Sequence, residues 1–396
     1  MPPISPQQRS QHLNWLLELT DTPTAAGREH RVIDWIKRWV AERPALELRR
    51  DETGNLVVLR RGSNHERPLF FTAHLDHPAF VVERVIAPTV VELSFRGGVM
   101  DDYFKDARVL IVTRDGTRHP AVLTGPTGQT EPFKHYTAEL AAPADAMPGD
   151  VGVWDVGPAQ LIDGLVHTQA CDDLAAAAAA LAAMDVLLAD DSANAALLFT
   201  RAEEIGFVGA LAAVRHNTIP RSARLIALEN SRSFPDSPIG GGPIVRVGDR
   251  ISIFTPAMTD AVAARAEEIA GGPSMPTASQ KQSEMPAWKW QRKLMAGGAC
   301  EASVYCHAGY DATCVCLPLG NYHNMADLAA VQAGTNTTPP RVGREFIALS
   351  DFEGLVDLLV ACGQRLTDRP SLSDRFERLW RDRSFVLEAN ESSKLK

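Results

Sequence analysis

The sequence predicts an α/β fold: a mixed, largely parallel sheet flanked by helices, with a small all-β domain inserted into it. Three observations carry this. Helix-like and strand-like segments alternate near the N-terminus and again beyond residue 170, the order that builds layered folds with parallel strands. Between about Phe80 and Gly157 the texture changes to short apolar runs (VVERVI, VVELSF, ARVLIVT, PAVLTG) broken by Gly, Pro and Asp, which suits a small barrel or sandwich. The length of 396 residues suits two domains at ~100–200 residues each. The expected organisation is an α/β domain split over 1–80 and 160–396, around a β-barrel-like domain at 81–159.

The elements follow in order. Ser5-Pro6 places a capping residue before a proline at the first helical position, and Leu13, Leu16, Leu17 and Leu19 supply an apolar face. A turn at Thr22-Pro23 and Gly27 leads to a second amphipathic helix with Val32, Ile33, Trp35, Ile36, Trp39 and Val40. Residues 55–60 and 68–73 are rich in β-branched and aromatic side chains and read as strands. After the β region, Leu174–Leu188 is a helix by its alanine and leucine content. Strands are expected at 196–200, 224–228 and 312–317, and helices at 206–214 and 260–269. Ser350-Asp-Phe-Glu353 has the pattern of a capping box opening a helix through Leu366. The last ten residues, LEANESSKLK, read as a frayed polar tail.

Composition excludes several classes. Lys plus Arg is 40 against 49 Asp plus Glu, so the formal charge is 40 − 49 = −9, which disfavours nucleic acid or an anionic membrane as partner. No apolar run reaches the ~18–20 residues of a membrane helix, and no secretory signal pattern opens the chain. Six cysteines are sparse for this length and fit a reducing cytoplasm.

Polar clusters sit where the expected strands end. His74 and Asp76 alternate on one side of an extended segment, a spacing that suits a histidine ligand with a carboxylate orienting its ring; two solvated polar groups are the alternative. Asp172-Asp173 either cap the alanine-rich helix or bind metal. Glu203 and Glu204 follow a strand and precede Gly206, where ligands gather in open α/β sheets. Glu229-Asn230 and His323 follow two further strands. Two histidines and several carboxylates suit Zn²⁺ or Co²⁺, and a single Asp in its own loop can bridge two ions ~3.5–4 Å apart. No HExxH, GxSxG or ribose-binding GxGxxG pattern is present. Cys300, Cys306, His307, Cys314 and Cys316 offer a competing structural zinc site, without a CxxC pair; Cys314 and Cys316 alternate in an apolar strand, where Cys acts as a small hydrophobe. Cys171 reads as packing.

Taken together, AHLDH, ACDDLAAAAAAL, TRAEEIGFVGA, GGGPIVRVGD, GYDAT and LPLGNYHNM resemble the dizinc aminopeptidases of the glutamyl and tetrahedral aminopeptidase group, and more distantly the dizinc carboxypeptidases and deacylases. The resemblance covers most of the chain. It implies two divalent ions per chain, zinc first with cobalt or manganese as alternatives, held by His74, Asp172, Glu204, Glu229 and His323. Asp172 would bridge the ions, and the resemblance allows a cis link to Asp173. Asp76 would orient His74. Glu203 would be the general base for attack by a metal-bound hydroxide. A peptide substrate, a homo-oligomer (dimer or dodecamer) and a cytoplasmic location are implied with it.

Two departures from the family pattern stand out. Glu229 occupies a position that is usually Asp in the aminopeptidases and often Glu in the carboxypeptidase and deacylase group. His77 stands where a carboxylate is common. The competing functions are therefore a dizinc carboxypeptidase or N-acyl-amino-acid deacylase, and an inactive peptide-binding scaffold. Arg232, Arg246 and Arg250 after Glu229 either favour acidic substrates or are surface arginines.

Overall fold

The chain opens with helix α1 (Pro6–Thr20), whose start is set by a reciprocal cap: the Ser5 hydroxyl accepts from the Gln8 amide and the Gln8 side chain accepts from the Ser5 amide. Helix α2 (His30–Ala41) follows and buries Val32, Ile33, Ile36, Trp39 and Val40, leaving Trp35 half-buried. The computed structural model describes residues 4–63, 65–275, 281, 287–367 and 372–387. Most of the expected polar tail, residues 388–396, lies outside the described residues.

Strands β1 (Leu46–Arg50), β2 (Leu56–Arg60) and β3 (Leu69–His74) begin the main sheet. The chain then leaves it for β4 (Ala79–Ala87), β5 (Val90–Arg96), β6 (Arg108–Val112), β7 (Arg118–Pro126), β8 (Lys134–Leu140) and β9 (Val151–Trp154), which close into an antiparallel barrel in the order β4-β5-β8-β7-β6-β9. Closure removes the exposed edges that short strands otherwise present. The barrel interior is aromatic: Phe80 packs edge-on against Phe95 at 4.8 Å, and Phe104 stacks on Tyr136 at 4.5 Å.

Returning, the chain makes β10 (Gln160–Ile162), β11 (Leu165–Thr168), α3 (Leu174–Leu187), β12 (Ala196–Thr200), α4 (Val208–Arg215), β13 (Arg224–Arg232), β14 (Ile244–Asp249), α5 (Pro256–Ala270), β15 (Gln291–Met295), α6 (Glu301–His307), β16 (Asp311–Leu319), α7 (Leu328–Ala333), β17 (Glu345–Ala348), α8 (Leu349–Gln364) and α9 (Leu372–Arg383). The main sheet has eight strands in the order β1-β2-β12-β3-β13-β16-β14-β15, and β10, β11 and β17 form a small separate sheet. The central strands β12, β3, β13 and β16 are mutually parallel, while β1, β2 and β14 bring in antiparallel pairings.

Helix α3 is buried on every side from Leu174 to Met184. Its alanines let α1, α8 and the sheet approach closely, so an added side chain there would cost about 1–3 kcal/mol of overpacking. Helices α4 and α6 cover the opposite face through Ala210, Ala213 and Tyr305.

The capping box expected at Ser350 does not form. Helix α8 starts two residues earlier, behind Ala348, without a side-chain cap. Asp351, in the first turn, accepts hydrogen bonds from the Gly240 and Gly242 amides at 2.7 and 2.8 Å, so the start of the helix is tied to another loop.

Candidate metal centre

The four parallel central strands deliver their C-terminal ends to one place. His74 ends β3, Glu203 and Glu204 follow β12, Glu229 lies in β13, and His323 lies just beyond β16. Asp172 enters from the turn before α3. Its Oδ1 is 3.4 Å from His74 Nε2 and its Oδ2 is 3.4 Å from His323 Nε2, so the two oxygens face opposite halves of the cluster. Glu229 Oε1 is 3.8 Å from His74 Nε2, and Glu204 Oε2 is 3.5 Å from His323 Nε2. Glu203 Oε2 is 3.9 Å from His74 Nε2. Two groups with metal-ligand spacing emerge that share Asp172: His74, Asp172 and Glu229, and Asp172, Glu204 and His323. A third groups His74 with both glutamates.

The donor set fits divalent ions. Asp172 Oδ1 and Glu204 Oε1 are buried without a hydrogen-bond partner, a state that costs about 1–3 kcal/mol or more per polar group unless another ligand satisfies it. Four carboxylates face two imidazoles. Burial pushes the Glu203 and Glu204 carboxyls well above the ordinary range, and neighbouring acids add to it. Glu229 is pushed up to about 7 by burial and by Asp172. Burial acts on Asp172 as well, but His323 and His74 outweigh it and hold it below the ordinary range. Cations at this cluster relieve that repulsion, and imidazole with carboxylate suits zinc or cobalt.

The braces around these residues are specific. Asp76 lies beside His74, its Oδ1 3.6 Å from Nδ1, but its carboxylate also accepts the amides of Glu203 and Glu204 at 2.9 and 3.1 Å. It therefore fixes both glutamates as well as facing the histidine, a double duty that strand alternation does not reveal. The buried Glu29 holds the same loop from the other side, accepting from Arg201 and from the Ala202 amide. Gly209 is required where α4 crosses this loop, since a Cβ there would stand 2.4 Å from the Arg201 carbonyl oxygen.

Asp173 occupies the N-cap position of α3 without capping it. Its carboxylate accepts from the His74 amide at 3.3 Å and from the Asn230 side chain at 2.8 Å, and the Asp172-Asp173 peptide is cis. His77 is buried, 2.5 Å through Nδ1 from the Asp172 carbonyl and 2.9 Å through Nε2 from Asn324 Oδ1. It is a brace for the Asp172 turn.

The cysteines form no competing centre. Cys300, Cys314 and Cys316 pack with Ala227, Ile244, Phe254 and Met295 in a small apolar cluster, and His307 is exposed at the end of α6. Among the described residues no cysteine belongs to a group with metal-ligand spacing. Burial raises the Cys171 thiol well above its ordinary value, which leaves it inert as a nucleophile.

A family model for M42 glutamyl aminopeptidase matches residues 54–338. The chain belongs to this M42 family. It is accordingly a peptide hydrolase, and the M42 peptidases are metal-dependent aminopeptidases.

The peptidase shares its fold with aminopeptidase APDkam598 of the archaeon Desulfurococcus kamchatkensis, at 20% identity over 91% of this chain and 96% of the other, with a TM-score of 0.69. TET1 peptidase of Pyrococcus horikoshii, described as able to assemble into a tetrahedron or a large octahedral shell, matches at 20% identity over 90% of this chain and 100% of its own, TM-score 0.69. An M18-family aminopeptidase from Thermotoga maritima matches at 14% identity over 91% and 98%, TM-score 0.61. No curated protein matches the peptidase in sequence. Among the described residues no helix is long and apolar enough to cross a membrane.

A cavity of about 150 Å³ opens beside the cluster, lined by Glu203, Glu204 and Glu229 and, further along, by Phe234, Arg246 and Tyr322. Arg246 is only 2% exposed; its Nη1 donates to Ser231 Oγ at 3.1 Å and its Nε has no partner. No carboxylate pairs with it among the described residues. Arg232, by contrast, donates to Gln332, and Arg250 is exposed.

Proposed function

We propose that the peptidase releases N-terminal residues from peptides at a dinuclear centre, with His74 and Glu229 holding one ion, Glu204 and His323 the other, and Asp172 shared between them. The observation that carries this reading is the placement of the two Asp172 oxygens, one towards each histidine. Bound there, divalent ions would lower the pKa of a water and polarise the scissile carbonyl. Glu203 is the proton carrier: it takes the proton of the attacking water and returns it to the leaving amine. Its neighbour Glu204 stays ionised as a ligand. The raised proton affinity of Glu203 in its buried position suits the acid half of that cycle. A cationic substrate N-terminus meets an acidic cluster. Zinc is the first candidate metal, and a homo-oligomer is the expected assembly.

Arg246 indicates the side chain. A buried guanidinium in the cavity wall, near the Glu229 charge but with no carboxylate in ion-pair contact among the described residues, favours a carboxylate, so N-terminal Glu or Asp is the preferred residue. The same arginine could hold a substrate's terminal carboxylate, which with Glu229 keeps the carboxypeptidase or deacylase reading as second. Three matched peptides separate them: free, N-acetylated and C-amidated. Acetylation should abolish cleavage and amidation should not; if the acetylated peptide is cut faster, or amidation alone blocks cleavage, the second reading replaces the first. No cleavage by metal-loaded protein would leave the scaffold reading.

A further inference from the structure

Glu345 is a fully buried carboxylate at the start of β17, beyond the span matched by the family model. Its Oε2 accepts the amides of Cys171 and Asp172 at 2.7 and 3.1 Å, and its Oε1 accepts the amide of His323 at 2.8 Å. One side chain thus ties together the two loops that carry Asp172 and His323. The strand behind it is anchored to the elements leading into both loops: Glu345 pairs with Thr168 at the end of β11, and Phe346 exchanges backbone hydrogen bonds with Gly320 at 2.9 and 3.2 Å. His323 itself has a left-handed backbone, φ 53° and ψ 38°, a conformation that a non-glycine residue holds only when its surroundings impose it. The hydrogen bond from its amide to the buried Glu345 side chain supplies part of that hold.

We infer that Glu345 is a positioning residue that sets the affinity of the His323 side of the metal centre. The inference rests on the dinuclear reading above. The His74 side is placed differently. His74 ends β3, Glu229 sits within β13, and neither touches Glu345; only Asp172 is common to both halves. Replacing Glu345 therefore acts unequally on the two sites. In Glu345→Gln one terminal group becomes an NH₂, which cannot accept a hydrogen bond, so a loop amide loses its acceptor without a change of volume.

The test is a Co²⁺ titration of metal-free protein, read by visible absorption and equilibrium dialysis, for wild type and Glu345→Gln. Wild type should take two equivalents. In the variant the second equivalent should bind about 10–100-fold more weakly, as is typical when a hydrogen-bond partner supporting a metal ligand is lost, with the first changed much less. Glu345→Asp keeps the charge but withdraws it by one methylene; it carries the same comparison, with the same unequal loss expected, if the Gln variant fails to fold. Wild-type affinity for both equivalents, or an equal loss at both, overturns the inference while leaving the dinuclear reading intact. Fewer than two equivalents in wild type overturns both.

Discussion

His323 Nδ1 lies 2.6 Å from the carbonyl oxygen of Gly98. His323 belongs to the α/β domain and Gly98 to the loop after β5 of the barrel. With Nδ1–H donated to that carbonyl, Nε2 is the ring nitrogen left facing Asp172 and Glu204. A second tie runs beside it, from the Tyr103 hydroxyl to the Ala326 carbonyl at 2.7 Å. The inserted domain is therefore part of the site's framework.

Tyr103→Phe should loosen that tie. It removes one hydrogen bond and leaves a buried carbonyl unpaired, which costs about 1–3 kcal/mol. Urea unfolding of the metal-free protein measures this, and turnover should fall with it because the His323 loop loses an anchor.

Glu203→Gln should lower turnover by about 10²–10⁴-fold, the range for a lost general base, with metal content unchanged. Steady-state kinetics and elemental analysis of the same preparation check both halves. Loss of metal together with activity would exchange the roles of Glu203 and Glu204.

Chelation should destabilise the protein as well as silence it. Asp172, Glu203, Glu204 and Glu229 repel one another without cations. Free zinc at 100 times its dissociation constant should add about 2.7 kcal/mol per site, seen as a rise in melting temperature over the chelated form. His323→Ala should retain one ion and a smaller rise.

Arg246→Met should change substrate choice more than it changes catalysis. Removing one partner of a desolvated charge pair costs about 2–5 kcal/mol, so kcat/KM for an N-terminal Glu peptide should fall at least about 30-fold. The matched Leu peptide should change far less. Equal losses on both peptides would remove Arg246 from side-chain recognition.

Cys314→Ser should leave metal stoichiometry unchanged, since Cys314 packs in an apolar cluster and belongs to no group with metal-ligand spacing among the described residues. A variant that loses zinc would revive the cysteine centre.

Much of the framework was legible because each signal was local. Ser5-Pro6, the aromatic and β-branched run around Phe71 and the alanine run after Leu174 all formed the elements they indicate. Six of the seven candidate residues, His74, Asp76, Glu203, Glu204, Glu229 and His323, converge because each lies in or just beyond the C-terminal half of a strand of one parallel set, and Asp172 joins them from the turn before α3. What stayed hidden depends on contacts distant in sequence. Glu345 and Glu29 act on backbone amides over 20 to more than 170 positions away, and no periodicity marks them. Asp173 reads as a cap because the local pattern is the same whether a carboxylate turns to its own helix or to another loop. Strand β15 is mostly polar, and β14 and β17, at six and four residues, are too short to show a period.

The order of the central strands has a consequence for biosynthesis. In space β3 lies between β12 and β13, with β16 beside β13, but in the chain β16 and His323 come last. A nascent chain that has reached Cys300 already contains His74, Asp172, both glutamates and Glu229, yet lacks the strand and the imidazole that complete the second half of the centre. On the dinuclear reading, a stalled or prematurely terminated product cannot assemble the full pair of ions. Hydrolytic power on this reading requires translation past His323, so products that stop short of it lack a complete centre.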